Sequence, residues 1–569
     1  MRLPIAFRHH LLSAPLALMA TLALPSCGTS RGTPPSADSA ITMAIINARI
    51  WTGNPEQPWA EAIALRGDHI AVVGTNDDVR RTLGDVTPID AHGQMVTPGF
   101  IDSHVHFLDG GFQLASVQLR DAKTPAEFIR RIREFAKTIP AGTWITGGDW
   151  DHQLWGGELP RHEWIDSVTP NNPVWVSRLD GHMGLANAVA MRDAKVSNGT
   201  SSESGGTIVR DARGAATGIF KDNAQGIIGA AIPDASAEMN DRALAAAMKY
   251  VAEQGVTSVA HMGGWGDLAV FERAYRAGKL ITRISAAVPL SSWSRLRDTI
   301  AARGAGDDWL HIGGLKGFAD GSLGSHTAAF LEPYTDEPKD TGLLVTDPDS
   351  LYAWALAGDG AELQVMVHAI GDRAIRTQLD IYERIEREHG TRDRRFRIEH
   401  AQHIAPTDIP RFAALHVIAS MQPYHAIDDG RWAEKVIGHK RSATTYAFKS
   451  LLDSDARLSF GSDWDVAPPI PLYGIYAAAT RRTLDDRNPG GWFPEQKIGV
   501  EDALRAYTIG GAYAMFAEKT RGTLEPGKLA DLTMIDRDIT KIAPEEIRDA
   551  HVMMTVVGGK VVYRRGGTN

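Results

Sequence analysis

The sequence contains one cysteine, Cys27, among its 569 residues. A disulfide within the chain is therefore excluded, whatever the compartment. Its 60 basic and 69 acidic residues give a net charge of −9 and form no block of one sign. Because nucleic-acid binding needs clustered Lys and Arg, a nucleic-acid partner is not expected. No Gly-x-Gly-x-x-Gly turn follows the first strand, which disfavours a doubly wound dinucleotide-binding sheet.

Long hydrophobic runs are also scarce. The run near the N-terminus, residues 11–24, is shorter than the roughly 20 residues that a membrane-spanning helix needs. Arg2 and Arg8 precede it and small residues follow it, a pattern typical of an export signal. We therefore expect an exported protein without a transmembrane helix of its own.

Cys27 ends this segment in the tetrapeptide LeuProSerCys (24–27), which resembles a bacterial lipobox. In such a signal the cysteine is lipidated and becomes the first mature residue. Pro25 departs from the favoured residue, so ordinary signal-peptide cleavage is the alternative. We expect a lipoprotein-type export signal at 1–27 and a flexible Gly/Ser/Pro-rich tether at 28–40. The protein would then be anchored at Cys27, facing the periplasm or the cell surface, or would be soluble in the periplasm.

The rest of the chain has an ordinary globular composition, 43% hydrophobic and 23% charged. Strand-like segments lie near both of its ends and are separated by turn signals. We expect these segments to pair into one small β-sandwich built from residues 41–97 and 518–569. The segments are residues 44–51, 62–65, 69–74, 528–536 and 552–563.

The long middle region alternates strand-like runs with amphipathic helices. Thr124 and Pro125 open a capping box that predicts a helix, and residues 238–254 predict another, followed directly by a strand at 256–261. Repeated βα units predict a parallel (β/α)₈ barrel of the TIM type across residues 98–517. An open doubly wound sheet is the alternative.

Residues 150–235 break this alternation and predict an insertion over the barrel mouth. Gly and Pro are frequent there, and tryptophans are concentrated in and just before it. These tryptophans are interpreted either as the wall of a pocket for an apolar substrate or as the core of a subdomain. They are Trp144, Trp150, Trp155, Trp164 and Trp175.

His104 and His106 end the apolar segment 97–106 and carry the strongest functional signal. Residues two apart on a strand point to the same side, so both imidazoles face one point. Neutral imidazoles that converge in this way suit a divalent transition metal. A single His-x-His is a weak motif, because surface or core histidines can also produce it.

Other metal-type residues also end strand-like runs. Lys316 lies in the segment 311–321, His368 ends 363–368, His400 ends 396–400 and Asp463 ends 457–463. In a barrel of this type, functional groups lie at the carboxyl ends of different strands, so we expect these side chains to meet. His403, three residues past His400, is the alternative metal-type residue for the sixth strand.

At these residues the chain resembles the amidohydrolase superfamily, in the amidohydrolase-3 branch that includes N-substituted formamide deformylases. The resemblance spans nearly all of residues 44–563. The matching segments are 97–106, 177–187, 316–324, 368–374, 397–402, 461–465 and 524–532.

The resemblance implies a metal-dependent hydrolase with one or two divalent ions, Zn²⁺ by preference. Lys316, carbamylated by CO₂, would bridge the ions of a two-metal version. Related deaminases carry a glutamate shortly after the strand-5 histidine, but here Asp372 is the acidic residue after His368, which favours hydrolysis. The implied metal ligands are His104, His106, Lys316, His368, His400 and Asp463.

The expected reaction is cleavage of an amide-type C–N bond in a small molecule, an N-formyl or N-acyl amine, by attack of metal-bound hydroxide. Asp463 would transfer the proton to the leaving nitrogen, and His182 would polarise the carbonyl oxygen. Asp320 and Asn187 resemble family positions near the site, and His425 is expected to line the pocket. A cyclic-amide or ester hydrolase and a non-catalytic ligand-binding lipoprotein are the alternatives. The oligomeric state stays open.

Overall fold

Eight parallel strands form the centre of the fold. The structure is a computed structural model that describes residues 40–202 and 204–566. The predicted export signal, and the tether up to residue 39, lie outside the described residues. The barrel strands are β1 (Phe100–Val105), β2 (Val256–Met262), β3 (Arg283–Pro289), β4 (Leu310–Phe318), β5 (Gln364–Ala369), β6 (Arg397–His400), β7 (Ile418–Met421) and β8 (Leu458–Phe460).

The barrel strands pair in chain order, each parallel to the next. A parallel backbone bridge between Val105 and Trp464 joins β1 to the chain just past β8 and closes the barrel. All residues of β2 are buried. Burial on both faces explains why this strand contains no Lys, Arg, Asp or Glu and does not alternate apolar with charged residues. The predicted (β/α)₈ barrel is confirmed.

Helices alternate with the barrel strands along the chain and pack through their apolar faces. In helix Asp372–His389, Ile375, Leu379 and Ile385 join the main hydrophobic core. Among the described residues, no helix has the length and apolar composition needed to cross a bilayer. The α-helices are Asn76–Arg80, Phe107–Gln113, Pro125–Ala136, Glu163–Asp166, Ala188–Asp193, Gly226–Gly229, Ala237–Glu253, Trp265–Arg276, Trp293–Arg303, Pro348–Gly360, Asp372–His389, Ile409–Ala414, Pro423–Asp429, Ala433–Ser442, Phe448–Asp453, Pro471–Thr480, Val500–Arg505 and Gly511–Ala514.

Both ends of the globular chain build one β-domain, as the strand-like segments predict. Met95–Pro98 pairs antiparallel with Leu532–Ile535 from the other end of the sequence. Ile63 and Leu532, from its two facing sheets, belong to the same hydrophobic cluster. In spatial order, the six-stranded sheet contains Lys560–Arg564, Val552–Val557, Leu532–Ile535, Met95–Pro98, Arg49–Trp51 and Trp59–Ala60, and the four-stranded sheet contains His69–Gly74, Ala62–Arg66, Met43–Ile46 and Ile89–Asp90.

The insertion between β1 and β2 has its own core. Phe128 and Ile132, from helix Pro125–Ala136, join a cluster with Trp150 rather than the barrel core, so this helix belongs to the insertion. Lys221 Nζ donates to the carbonyl oxygen of Ser325, 2.7 Å away in the segment after β4, which places the insertion at the barrel mouth. Its antiparallel sheet contains Gly206–Arg210, Ala216–Asp222, Met183–Ala186 and Trp175–Ser177, in that order.

The tryptophans of this region pack inside the insertion. Trp150 is fully buried and meets Phe128 edge to face at 6.4 Å between ring centres. Trp175 meets Phe220 in the same way at 6.1 Å. The pocket-wall interpretation of Trp144, Trp150, Trp155, Trp164 and Trp175 is therefore wrong: among the described residues, the aromatic side chains lining the mouth include Phe318 and Trp432.

A buried ion pair ties the barrel to the β-domain. Arg283 on β3 donates from Nε and Nη2 to the two carboxylate oxygens of Asp531, at 2.6 and 2.9 Å. Their side chains are 1% and 4% exposed. The guanidinium also lies over the ring of Trp309, 4.5 Å from its centre.

We expect Arg283→Ala to destabilise the protein by about 3–5 kcal/mol, because it leaves a buried carboxylate without its ion-pair partner. Denaturant unfolding measures this loss. Arg297→Ala is the control: its pair with Asp298 is 49% and 67% exposed and should contribute no more than about 1 kcal/mol. Equal unfolding midpoints for the two variants would contradict the role given to Arg283.

Candidate active site

The contact that closes the barrel, between β1 and the chain just past β8, brings His104 and His106 close to Asp463. The amide of Asp463 donates to the carbonyl of His104 at 2.7 Å, and the amide of His106 donates to that of Trp464 at 2.5 Å. As a result, Asp463 Oδ1 lies 3.3 Å from His104 Nε2 and 3.4 Å from His106 Nε2. Backbone pairing between the first and last strands therefore determines this part of the site.

Lys316, His368 and His400 complete the cluster from β4, β5 and β6. Lys316 Nζ lies 3.3 Å from His104 Nε2. The ring of His400 lies 4.9 Å from that of His104 and 4.5 Å from that of His368, between centres. The structure thus brings together all six of the side chains that the sequence proposes as metal ligands.

Hydrogen bonds orient the three buried imidazoles. His104 Nδ1 donates to Glu399 at 2.5 Å, His400 Nδ1 donates to Gln422 Oε1 at 2.9 Å, and His368 Nε2 donates to the carbonyl of Gly321 at 3.1 Å. Each acceptor holds the proton on that nitrogen and leaves the lone pair of the opposite nitrogen free. This is the arrangement that metal-binding histidines need.

Burial also keeps these rings neutral. Desolvation lowers the pKa of His104 to about 4 and holds the pKa values of His368 and His400 well below the ordinary range. Burial likewise lowers the pKa of the Lys316 ammonium, to about 8. At neutral pH the three histidines are therefore uncharged, as metal binding by an imidazole requires.

Glu399 is a functional residue that the sequence reasoning missed. Arg397 donates to both of its carboxylate oxygens, at 2.7 and 3.0 Å, and Ser420 donates to one of them at 2.7 Å. Burial alone would raise the pKa of Glu399, but the charge of Arg397 and the hydrogen bond from His104 hold it well below its usual value. The available signal was a pair of charged residues, Arg397 and Glu399, two apart in the strand that ends at His400.

The contacts of Asp463 test whether these residues fit a metal ion. Its Oδ1 is buried and accepts no hydrogen bond from any described residue. The neighbouring Nε2 of His104 carries a lone pair, because Nδ1 holds the proton. Two electron-rich atoms 3.3 Å apart repel each other unless a cation compensates, and the Lys316 ammonium, whose Nζ lies 3.3 Å from the same nitrogen, is the cation that the chain itself offers. The donor set, imidazole nitrogens with carboxylate oxygen, therefore fits a divalent transition metal.

The backbone is strained at two of these positions. His400 and Asp463 have φ values of 70° and 59°, in the left-handed region. Non-glycine residues in sparsely populated conformations cost about 1–3 kcal/mol each and are concentrated at functional sites. Both side chains point into the cluster as a consequence.

His182 reaches the site from the insertion. Its Nδ1 donates to Asp222 at 2.7 Å, and its ring centre lies 4.9 Å from that of His368. Although burial opposes it, the Asp222 carboxylate raises the pKa of His182. His182 therefore faces the metal-type residues across the cavity, as expected for a group that contacts substrate.

Two other residues that the sequence singled out, His403 and Asn187, form hydrogen bonds outside the cluster. His403 does not join the cluster: Nδ1 contacts Thr445 at 2.8 Å and Nε2 contacts the side chain of Gln402 at 3.1 Å. Asn187 lies in the insertion, where its side chain accepts from the amide of Ala190 and caps a helix.

Asp320 orders the loops at the mouth. Its carboxylate accepts from the amides of Ile370, Gly371 and Ala329 at 2.8–3.0 Å, and one oxygen lies 3.6 Å from His368 Nε2. Burial raises the pKa of Asp320 to about 7. Asp320 therefore supports the segment that carries His368 rather than facing the cavity.

A cavity of about 370 Å³ opens beside the cluster and is lined by His106, His182 and Phe318. Asp109 and Asp465 also line it, and among the described residues neither forms an ion pair. Burial and repulsion from neighbouring carboxylates raise the pKa of each to about 6. This wall disfavours an anionic group on a bound molecule.

A second cavity, of about 230 Å³, adjoins the first at Lys316 and Phe318. Its lining is largely apolar and includes Leu290, Leu351 and Trp354. The site therefore combines a polar chamber at the cluster with an apolar recess beside it.

Comparisons with known proteins agree with this geometry. The model of the amidohydrolase family matches residues 87–563. The protein LONG AFTER FAR-RED 3 of Arabidopsis thaliana is 39% identical, with 94% of each chain covered. N-substituted formamide deformylase of Arthrobacter pascens is 28% identical, with 92% of this chain and 99% of that protein covered.

A solved structure of a metal-dependent hydrolase from Pyrococcus horikoshii has the same fold. It matches with a TM-score of 0.72 at 27% identity, covering 88% of this chain and 99% of that one. The family match covers well over half of the sequence and includes every barrel strand. The chain therefore belongs to the amidohydrolase family, and its fold is that of a metal-dependent hydrolase.

Proposed function

We propose that the protein hydrolyses an amide-type C–N bond in a small molecule, an N-formyl or N-acyl amine. The observation that carries the proposal is that the buried Oδ1 of Asp463 accepts no hydrogen bond from any described residue and lies 3.3 Å from the unprotonated Nε2 of His104. The deformylase relative, whose name states an N-substituted formamide as substrate, supports the amide class.

In this proposal, the metal ligands are His104, His106, Lys316, His368, His400 and Asp463. Lys316 would act as a carbamate, because a free ammonium repels cations whereas a carbamate offers two anionic oxygens. A bound divalent ion, Zn²⁺ by preference, would make water nucleophilic at neutral pH by lowering its pKa from ~15.7 to about 7.

The chain's own groups then position the substrate and move the proton. Asp463 takes a proton from the attacking water and delivers it to the leaving nitrogen, so that the amide becomes a carboxylic acid and an amine. His182, held by Asp222, contacts the carbonyl oxygen from the opposite side of the cavity. Glu399 keeps the ring of His104 in place.

Two other functions use the same residues. A cyclic-amide or ester hydrolase needs the same cluster and differs only in the substrate that the insertion and loops admit. A non-catalytic ligand-binding lipoprotein is disfavoured because none of the ligand positions is missing. Metal analysis together with a panel of N-formyl and N-acyl amines, lactams and esters distinguishes these functions.

We further propose that the protein works outside the cytoplasm. The support is the sequence of residues 1–27, with its basic start, its short apolar run and Cys27. The protein would be a lipoprotein anchored at Cys27 or, after ordinary cleavage, a soluble periplasmic protein. Metabolic labelling with a fatty acid, compared between the wild type and Cys27→Ala, distinguishes these forms.

Replacing Asp463 by Asn should leave metal bound but lower kcat by about 10²–10⁴, because the amide cannot accept the proton. Steady-state kinetics and metal analysis of the purified variant provide the measurement. The matched control is Asp453→Asn, since the Asp453 side chain is 59% exposed on a surface helix. Turnover at the wild-type rate in Asp463→Asn would refute the proposed role.

Lys316→Ala should reduce the metal content from two ions per chain to one or none, because the bridging ligand is lost. Elemental analysis after dialysis against Zn²⁺ and bicarbonate measures the content. Lys449→Ala, at a lysine whose side chain is 46% exposed, controls for the loss of a surface charge. An unchanged ion count in Lys316→Ala would show that Lys316 is not a ligand.

The apolar recess should favour amides with an apolar substituent. Leu351→Trp fills that recess, so kcat/KM should fall by about 10-fold or more for an N-benzyl amide and change little for an N-methyl amide. Val561→Trp, at an exposed position in the β-domain, serves as the control. Equal losses for both amides in Leu351→Trp would contradict the assignment of the recess.

A further inference from the structure

Asp463 lies between two groups of histidine nitrogens. One group joins it to His104 and His106, and the other joins it to His400 and His425. Within each group the candidate ligand atoms all lie within 4.8 Å of one another. The ligand set implied by the family resemblance uses the first group and His400 but leaves His425 without a role.

His425 comes from the chain that follows β7. Helix Pro423–Asp429 begins with proline, and His425 lies in its first turn. Gln422, just before the helix, accepts the Nδ1 proton of His400 at 2.9 Å. One short segment therefore both orients His400 and carries a second imidazole to the same place.

One nitrogen of His425 has no hydrogen-bond partner among the described residues. Its Nε2 is closed to solvent and forms no hydrogen bond with any described residue. Buried polar atoms in native proteins are nearly always paired, so such an atom needs an explanation. The buried Oδ1 of Asp463 has the same property. Asp463 presents its other oxygen, Oδ2, towards His400, 3.9 Å from Nδ1, so one carboxylate can serve a cation on each side.

We propose that His425 is a further metal ligand, which binds an ion together with His400 and Asp463. The inference rests on the proposed function, because it adds a residue to the same metal centre. His400 can serve this ion through Nε2, whose lone pair is free. Ligand atoms of a tetrahedral ion with bonds of about 2.0–2.2 Å lie about 3.4 Å apart, and one ligand atom from each of the three residues lies within 4.8 Å of the other two.

A substrate contact is the competing role for His425, and the closed position of Nε2 argues against it. The ring lines a small cavity together with Arg178 and Trp432, but Nε2 itself is not accessible from solvent. A molecule entering through the mouth cannot reach that atom, whereas an ion enclosed beside Asp463 can. Asp463 would then be shared between two metal positions.

The test uses full-length protein stripped by a chelator and titrated with Zn²⁺ alone. His425→Ala should bind one ion about 10-fold more weakly or lose it, because removal of a direct ligand costs at least as much as removal of a supporting residue. His425→Asp, which restores a ligand atom, should recover most of the binding. His326→Ala is the control, since His326 Nε2 contacts Asp336 at 3.1 Å in the segment after β4.

Zn²⁺ affinity and ion count equal to wild type in His425→Ala would overturn the inference and leave the proposed function intact. A wild-type protein that binds no Zn²⁺ would overturn both. The Co²⁺ absorption spectrum gives a second readout that does not depend on the alanine variant. Exchange of a nitrogen for an oxygen ligand in His425→Asp should shift the visible bands, and an unchanged spectrum would overturn the inference.

Discussion

The repulsion between Asp463 Oδ1 and the free nitrogen of His104 is the constraint on which the site depends. Barrel closure creates it, because pairing of β1 with the chain after β8 puts the two side chains 3.3 Å apart. Among the described residues, this oxygen accepts no hydrogen bond, although His106 Nε2 lies 3.4 Å from it. A cation would compensate the repulsion, so closure of the barrel also assembles the candidate metal site.

The protein prepares its ligands by controlling where protons sit. Glu399, Gln422 and the carbonyl of Gly321 each hold one proton on an imidazole and leave the other nitrogen bare. Burial keeps those rings neutral, and Arg397 stabilises the charge of Glu399. The acceptors come from different strands or loops, so the orientation of each ring depends on the whole barrel rather than on its own strand.

The barrel and the cluster could be predicted because both follow local rules. Apolar runs ending in His104, His368, His400 and Asp463 identify strand ends, and a parallel barrel collects strand ends at one face. The helix Pro125–Ala136 also forms where its capping box predicts, but it packs in the insertion. A local pattern specifies that a helix exists, whereas the surface it packs against is set by distant residues.

The residues that sequence reasoning missed act through partners far away in the chain. Glu399 matters because it meets His104, 295 positions earlier, and no local pattern reveals that contact. The tryptophans of the insertion were ambiguous for the same reason, since a buried ring and a pocket wall have identical sequence signals. The barrel supplies a common hydrolytic centre, and the insertion contributes His182 to it. The insertion is therefore the part of the site whose tertiary contacts are hardest to predict from sequence.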